Sequence, residues 1–166
     1  MTARIRPGTR GEVGLVNWVI AQASGRVTGT EAPALFLTLG RHRRLFRGWL
    51  RFAGRLMPGG LLKRRETELV ILRVAGTRGC AYELEHHTRL ARRLGIDEAR
   101  TARERVLLEA TDELLAERDI GEETWGALAE QLGEREIIEL IMLVGHYDML
   151  ATAIAALRIA PDSARR

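Results

Sequence analysis

Four residues of this chain have types and spacing suited to moving a proton or carrying a redox step: Glu68, Cys80, Glu83 and His87. A carboxylate and an imidazole four apart on a helix can touch, so Glu83 is placed to hold His87 in one tautomer and to raise its basicity. Glu68 would reach the same imidazole from the preceding segment. Two carboxyl groups beside one histidine do not ionise independently, and one of them is expected to stay protonated near neutral pH and act as an acid. Such a donor and acceptor set suits proton transfer next to a carbonyl, as decarboxylation or isomerisation of a lactone requires. Cys80 reads either as a thiol nucleophile or as a small buried hydrophobe. These four are the candidate catalytic residues, and Tyr82, His146 and Tyr147 are the candidate substrate contacts. Tyr82 and His86 lie on the neighbouring face of the helix and are expected to turn inward less. A structural Glu68–His87 hydrogen bond and a core or interface His146 are the plain alternatives. The Glu83, His86 pair matches a carboxylate-bridged metal pattern without equivalents elsewhere, so no metal and no other cofactor is expected.

The stretch that must position these groups runs from Glu68 to Leu94. It reads as two helices joined at Thr77-Arg78-Gly79, the first apolar (Leu69, Val70, Ile71, Leu72, Val74, Ala75) and the second amphipathic. On the second, Cys80, Glu83, Leu84, His87, Leu90, Ala91 and Leu94 share one stripe, expected to face the core. A core stripe carrying a thiol, a carboxylate and an imidazole is costly unless those groups pair or hydrogen-bond.

Around this pair, Glu12 to Ala23 is expected to be a helix with Val13, Val16, Val19, Ile20 and Ala23 inward, followed by a loop to Glu31 and a short helix from Pro33 to Gly40. Arg41 to Met57 is amphipathic, with Leu45, Trp49, Phe52 and Leu56 on one side and Arg43, Arg47, Arg51 and Arg55 forming a basic strip on the other. That strip reads as a solvated face, since no nucleic-acid motif accompanies it. Gly95 is placed to cap the second central helix in a left-handed conformation, and Asp97 to open a short helix through Arg100. Arg103 to Arg118 and Glu122 to Leu132 follow as helices, the latter with Trp125, Leu128 and Leu132 inward. Glu134 to Leu157 is apolar almost all round, which marks a central or interface helix. No stretch alternates as a strand does, so the fold class is all-α.

At 166 residues the chain fits one domain that buries about 70% of its unfolded surface. One cysteine excludes an internal disulfide framework and a Cys-rich zinc site. Net charge is +4 and the pI about 10.1, and because Lys63 is the only lysine, this balance rests on arginine. With no signal peptide and no membrane segment evident, the expectation is a cytoplasmic protein with neither a membrane nor a nucleic-acid partner.

Glu68, eleven residues, Cys80, two residues, Glu83, three residues and His87 resembles the active-site signature of the alkyl hydroperoxidase D and carboxymuconolactone decarboxylase family, with Glu83 where the second cysteine of a Cys-x-x-Cys stands. Leu61 to Glu68, Asp119 to Trp125 and Val144 to Leu150 fit as well. The resemblance divides the chain into an N-terminal arm and extension helix (1–31), a carboxymuconolactone decarboxylase-like helical domain (32–160) and a tail (161–166). It implies an AhpD-like helical bundle that assembles into homo-oligomers, trimers or hexamers, with the polar groups in a pocket near a subunit interface. The family's peroxidase chemistry needs two thiols, one to attack peroxide and one to resolve the sulfenic acid. This chain has one. The decarboxylase branch lacks the cysteine pair and handles a lactone acid by proton transfer. The expected function is therefore proton transfer by Glu68, Glu83 and His87 on a small carboxylic acid or lactone. The alternatives are a one-cysteine peroxidase using Cys80 with an external thiol, and a non-catalytic oligomeric binding protein.

Overall fold

The computed structural model describes residues 2–96 and 98–163. Asp97 and the Arg165-Arg166 tail lie outside the described residues, and the short helix expected to run from Asp97 through Arg100 does not form, since residues 98–100 are non-helical. Nine helices and no strand occur among the described residues.

The single helix expected over 12–23 is two: α1 (Arg10–Val13) and α2 (Leu15–Thr28), broken at Gly14, whose φ of 82° is a left-handed value that glycine adopts freely. The face of α2 also differs from the expected one. Asn17, Ala21 and Gly25 are buried, while Val16 and Val19 are 55% and 51% exposed. Close approach explains the reversal: a Cβ on Gly25 would sit 2.3 Å from the Glu31 carbonyl oxygen, so the small-residue side faces inward.

α3 (Ala34–Leu39) starts after Pro33, and α4 (Arg43–Leu56) buries Phe46 and Leu56 with Trp49 and Phe52 packed against the core. Leu45, expected inside, is exposed. The first half of the basic strip is not merely solvated. Arg43 donates to the carbonyls of Gly11 (2.6 Å) and Glu12 (3.1 Å), and Arg47 to Asn17 Oδ1 (3.4 Å), tying α4 to α1 and α2.

α5 (Arg64–Thr77) is the central helix, packed against α6 (Ala81–Arg93), α7 (Ala102–Glu117) and α9 (Glu134–Leu157). Val70, Ile71 and Val74 are fully buried, each stabilising the fold by about 1.5–3 kcal/mol. Its start is fixed by acidic side chains: Glu139 accepts from the backbone N–H groups of Leu61 and Leu62, and Glu66 accepts from that of Lys63 and from Arg103 at 2.7 Å. α6 ends as expected at Gly95 (φ 64°). α8 (Glu122–Gln131) buries Leu128, but Trp125 points outward, 45% exposed.

α9 is long and apolar enough to cross a membrane by length and composition. Here it packs in the bundle through Leu140, Leu143, Val144 and Leu150, leaving Ile138, Met142 and Met149 exposed on its outer side. Beyond it the chain turns back, so that Asp162 Oδ1 accepts from the N–H of Ala34, at the start of α3.

Candidate active site

The packing of α6 on α5 brings Glu68, Glu83 and His87 together away from solvent; they are 0%, 4% and 3% exposed. Glu83 and His87 lie one turn apart on α6, and Glu68 faces them from the second turn of α5. His87 Nδ1 is 2.7 Å from Glu68 Oε2, and His87 Nε2 is 3.3 Å from Glu83 Oε2. The outer oxygen of Glu68 pairs with Arg64, one turn earlier on α5, at 2.6 Å. The contact is an ion pair, and Glu68 Oε1 accepts no hydrogen bond from the described residues. The result is a line of alternating charge from the surface inward: guanidinium, carboxylate, imidazole, carboxylate.

Burial alone would lower the basicity of His87, but hydrogen bonds to Glu68 and Glu83 and their negative charge outweigh it, raising its pKa to about 9. The imidazole is therefore protonated, with Nδ1–H donating to Glu68 and Nε2 facing Glu83 in an ion-pair contact. Glu83 Oε1 has no protein partner among the described residues.

Glu83, His87 and Arg64 line a cavity of about 440 Å³, walled by the end of α2, α3, α4, α6 and α9. Its walls are mostly apolar and aromatic, including Leu35, Phe36, Trp49, Leu50, Leu90 and Leu150. From α9 come His146 and Tyr147. The His146 ring stacks on Trp49 (6.0 Å between centroids) and meets Tyr147 edge-on at 5.2 Å, while Tyr147 meets His87 edge-on at 5.4 Å. Burial lowers the pKa of His146, keeping its ring neutral, and raises that of the Tyr147 phenol, which the nearby carboxylates push further up.

Tyr82 and His86, expected to turn inward less than the main stripe, both line the cavity. α6 lies along the cavity wall rather than end-on, so two of its sides meet the interior. Burial and the neighbouring His87 lower the His86 pKa to about 4, so this imidazole too is neutral. Tyr82 donates to Asp162 Oδ2 at 2.5 Å, and burial together with that carboxylate raises its pKa. Leu94, the end of the expected stripe, is 52% exposed because it caps the helix instead of packing beneath it.

Cys80 is placed apart from this group's open side. It is the residue before α6, buried in the main core and absent from the cavity wall. Burial pushes its thiol pKa up, with partial relief from backbone N–H groups at the start of α6. Arg64, Trp49 and Asp162 were not legible as site residues in the sequence. Only Arg64 carries a signal, its four-residue spacing from Glu68. Among the described residues no group of three or more His, Cys, Asp or Glu is arranged to hold a metal ion.

Residues 43–115, which span α4 to most of α7, match the carboxymuconolactone decarboxylase family. No curated protein matches the chain. Among solved structures, a cysteine-to-alanine variant of a debrominase in complex with 2,3,4-tribromopyrrole aligns with a TM-score of 0.83 at 15% identity, covering 99% of this chain and 94% of that one. A peroxidase-related protein from a Silicibacter species aligns with a TM-score of 0.79 at 19% identity over 90% and 84% of the two chains. A protein from Ralstonia eutropha described as an alkylhydroperoxidase AhpD core gives 0.77 at 16% identity over 96% and 92%. At these identities the likeness establishes the fold.

Proposed function

From the premise that this chain belongs to the alkyl hydroperoxidase D and carboxymuconolactone decarboxylase-like family, we propose that it is an enzyme of proton transfer acting on a lactone or related small acid. The observation that carries this reading is the buried Glu68–His87–Glu83 line ending in a carboxylate oxygen without a protein partner, on the wall of an apolar cavity. Glu83 takes a proton from the carbon next to the substrate carbonyl. The negative charge that moves onto the carbonyl oxygen is stabilised by an O–H donor, for which Tyr147 on the cavity wall is placed, and the proton returns to carbon from Glu83. Glu68, held by Arg64, keeps His87 charged and oriented. A fold relative that holds a flat ring, the tribromopyrrole of the debrominase, supports a ring-shaped substrate in this chain.

The thiol reading is less well supported, because Cys80 is buried off the cavity wall with a raised pKa. We place the enzyme in the cytoplasm as a homo-oligomer, a trimer or a hexamer; the exposed Ile138, Met142 and Met149 on α9 favour self-association.

The test is solvent deuterium exchange at the carbon next to the carbonyl in a panel of unsaturated lactones. Glu83→Gln keeps the side chain's size and removes the base, so exchange is expected to fall by about 10²-fold or more. Exchange that survives this change at the parent rate would remove Glu83 from the chemistry.

A further inference from the structure

The cavity holds its ionisable groups in matched pairs. The charge of Arg64 is met by Glu68, 2.6 Å away, and that of His87 by Glu83, 3.3 Å away. The two remaining imidazoles, His86 and His146, add no charge, since burial lowers the pKa of each. The cation at the rim is already paired with Glu68, and the polar atoms of the wall without a protein partner among the described residues are the uncharged Trp49 Nε1 and the Nδ1 atoms of His86 and His146, together with a carboxylate oxygen of Glu83. A ligand carboxylate entering this space would lose its hydration, approach a like charge, and find no unpaired cation to receive it. An uncharged ring meets the opposite situation. Trp49, with Phe36 edge-on at 5.5 Å and His146 stacked at 6.0 Å, offers flat apolar surface, and Glu83 accepts from an N–H, an O–H or an acidified C–H.

Resting on the reading of this cavity as the substrate site, we infer that the substrate is an uncharged, planar one- or two-ring compound, a lactone or a ring amide rather than a carboxylate, and that Glu83 enforces this choice. The volume, about 440 Å³, lies toward the lower end of the range of about 300–1,000 Å³ for small-molecule sites. Selection against anions here is a like-charge and desolvation effect, the repulsive half of specificity.

The experiment compares two probes with one ring, methyl coumalate, which is neutral, and coumalate, its carboxylate, by isothermal titration calorimetry at neutral pH. The full-length protein is expected to bind the ester on the order of tenfold or more tighter than the acid. Glu83→Gln leaves His87 charged beside one carboxylate instead of two, so the cavity gains net positive charge. The preference should then shrink or reverse, chiefly through a gain of about tenfold for coumalate. Equal or tighter binding of coumalate by the parent protein would overturn the inference. Loss of that binding in Arg64→Gln would then assign the rim guanidinium as a carboxylate anchor. Binding of neither probe overturns it as well, and the parent comparison stands even where the variant does not fold. Because no turnover is read, the outcome is separate from that of deuterium exchange: a selective cavity without exchange keeps this inference and removes the proton-transfer reading.

Discussion

His87 is held protonated between Glu68 and Glu83, and this has a consequence for stability. A histidine in the unfolded chain titrates near 6.5, and the folded value is about 9. The folded state therefore binds this proton more tightly. Its contribution to stability is complete below about pH 6.5 and is lost as pH rises through about 9. The denaturation midpoint is expected to fall between these pH values, and His87→Gln should flatten that part of the profile. An unchanged slope in the variant would show that His87 is not the titrating group. Cys80 yields a second expectation. A buried thiol with a raised pKa is a poor nucleophile, so peroxide should oxidise it slowly and a generic dithiol should support little or no turnover. Rapid, stoichiometric sulfenic acid formation near neutral pH would count against this.

Among the elements, those organised by a strong internal pattern were legible in the sequence, and those organised by a neighbour were not. The break between α5 and α6, the Gly95 cap and the limits of α9 follow from local turn chemistry and a long apolar run. The inner face of α2 could not be read by hydrophobicity, because its contact is made by Ala21 and Gly25 approaching other backbone, which leaves its valines outward. The inward turn of Tyr82 and His86 depends on how α6 lies against the cavity, which helical spacing leaves open. Asp162 has no sequence signal at all, although its carboxylate joins Tyr82 on α6 to the start of α3. Asp162→Ala removes one acceptor from both donors and is expected to cost about 1–3 kcal/mol in urea denaturation. Loss of less than about 0.5 kcal/mol would mean that neither bond persists in solution.

For the whole molecule, Val16, Val19 and Val27 on α2 and Ile138, Met142 and Met149 on α9 expose apolar side chains that a partner subunit would cover in the proposed assembly. Light scattering at micromolar concentration is expected to give three or six subunits, and a monomer would contradict the proposed assembly. The Glu68–His87–Glu83 line was legible because all three residues lie within one helical pair. The aromatic wall that faces it was not, since it is gathered from α3, α4 and α9. Asp162 extends this division to the far end of the described chain. Transplanting the α5–α6 hairpin into one of the fold relatives would carry Glu68, Glu83 and His87 but not the Asp162 bond to Tyr82, and under the proposed function a chimera would inherit the donor's reactivity with the host's ligand preference. Ancestry inferred from the hairpin alone would track the chemistry and miss changes in what the cavity admits.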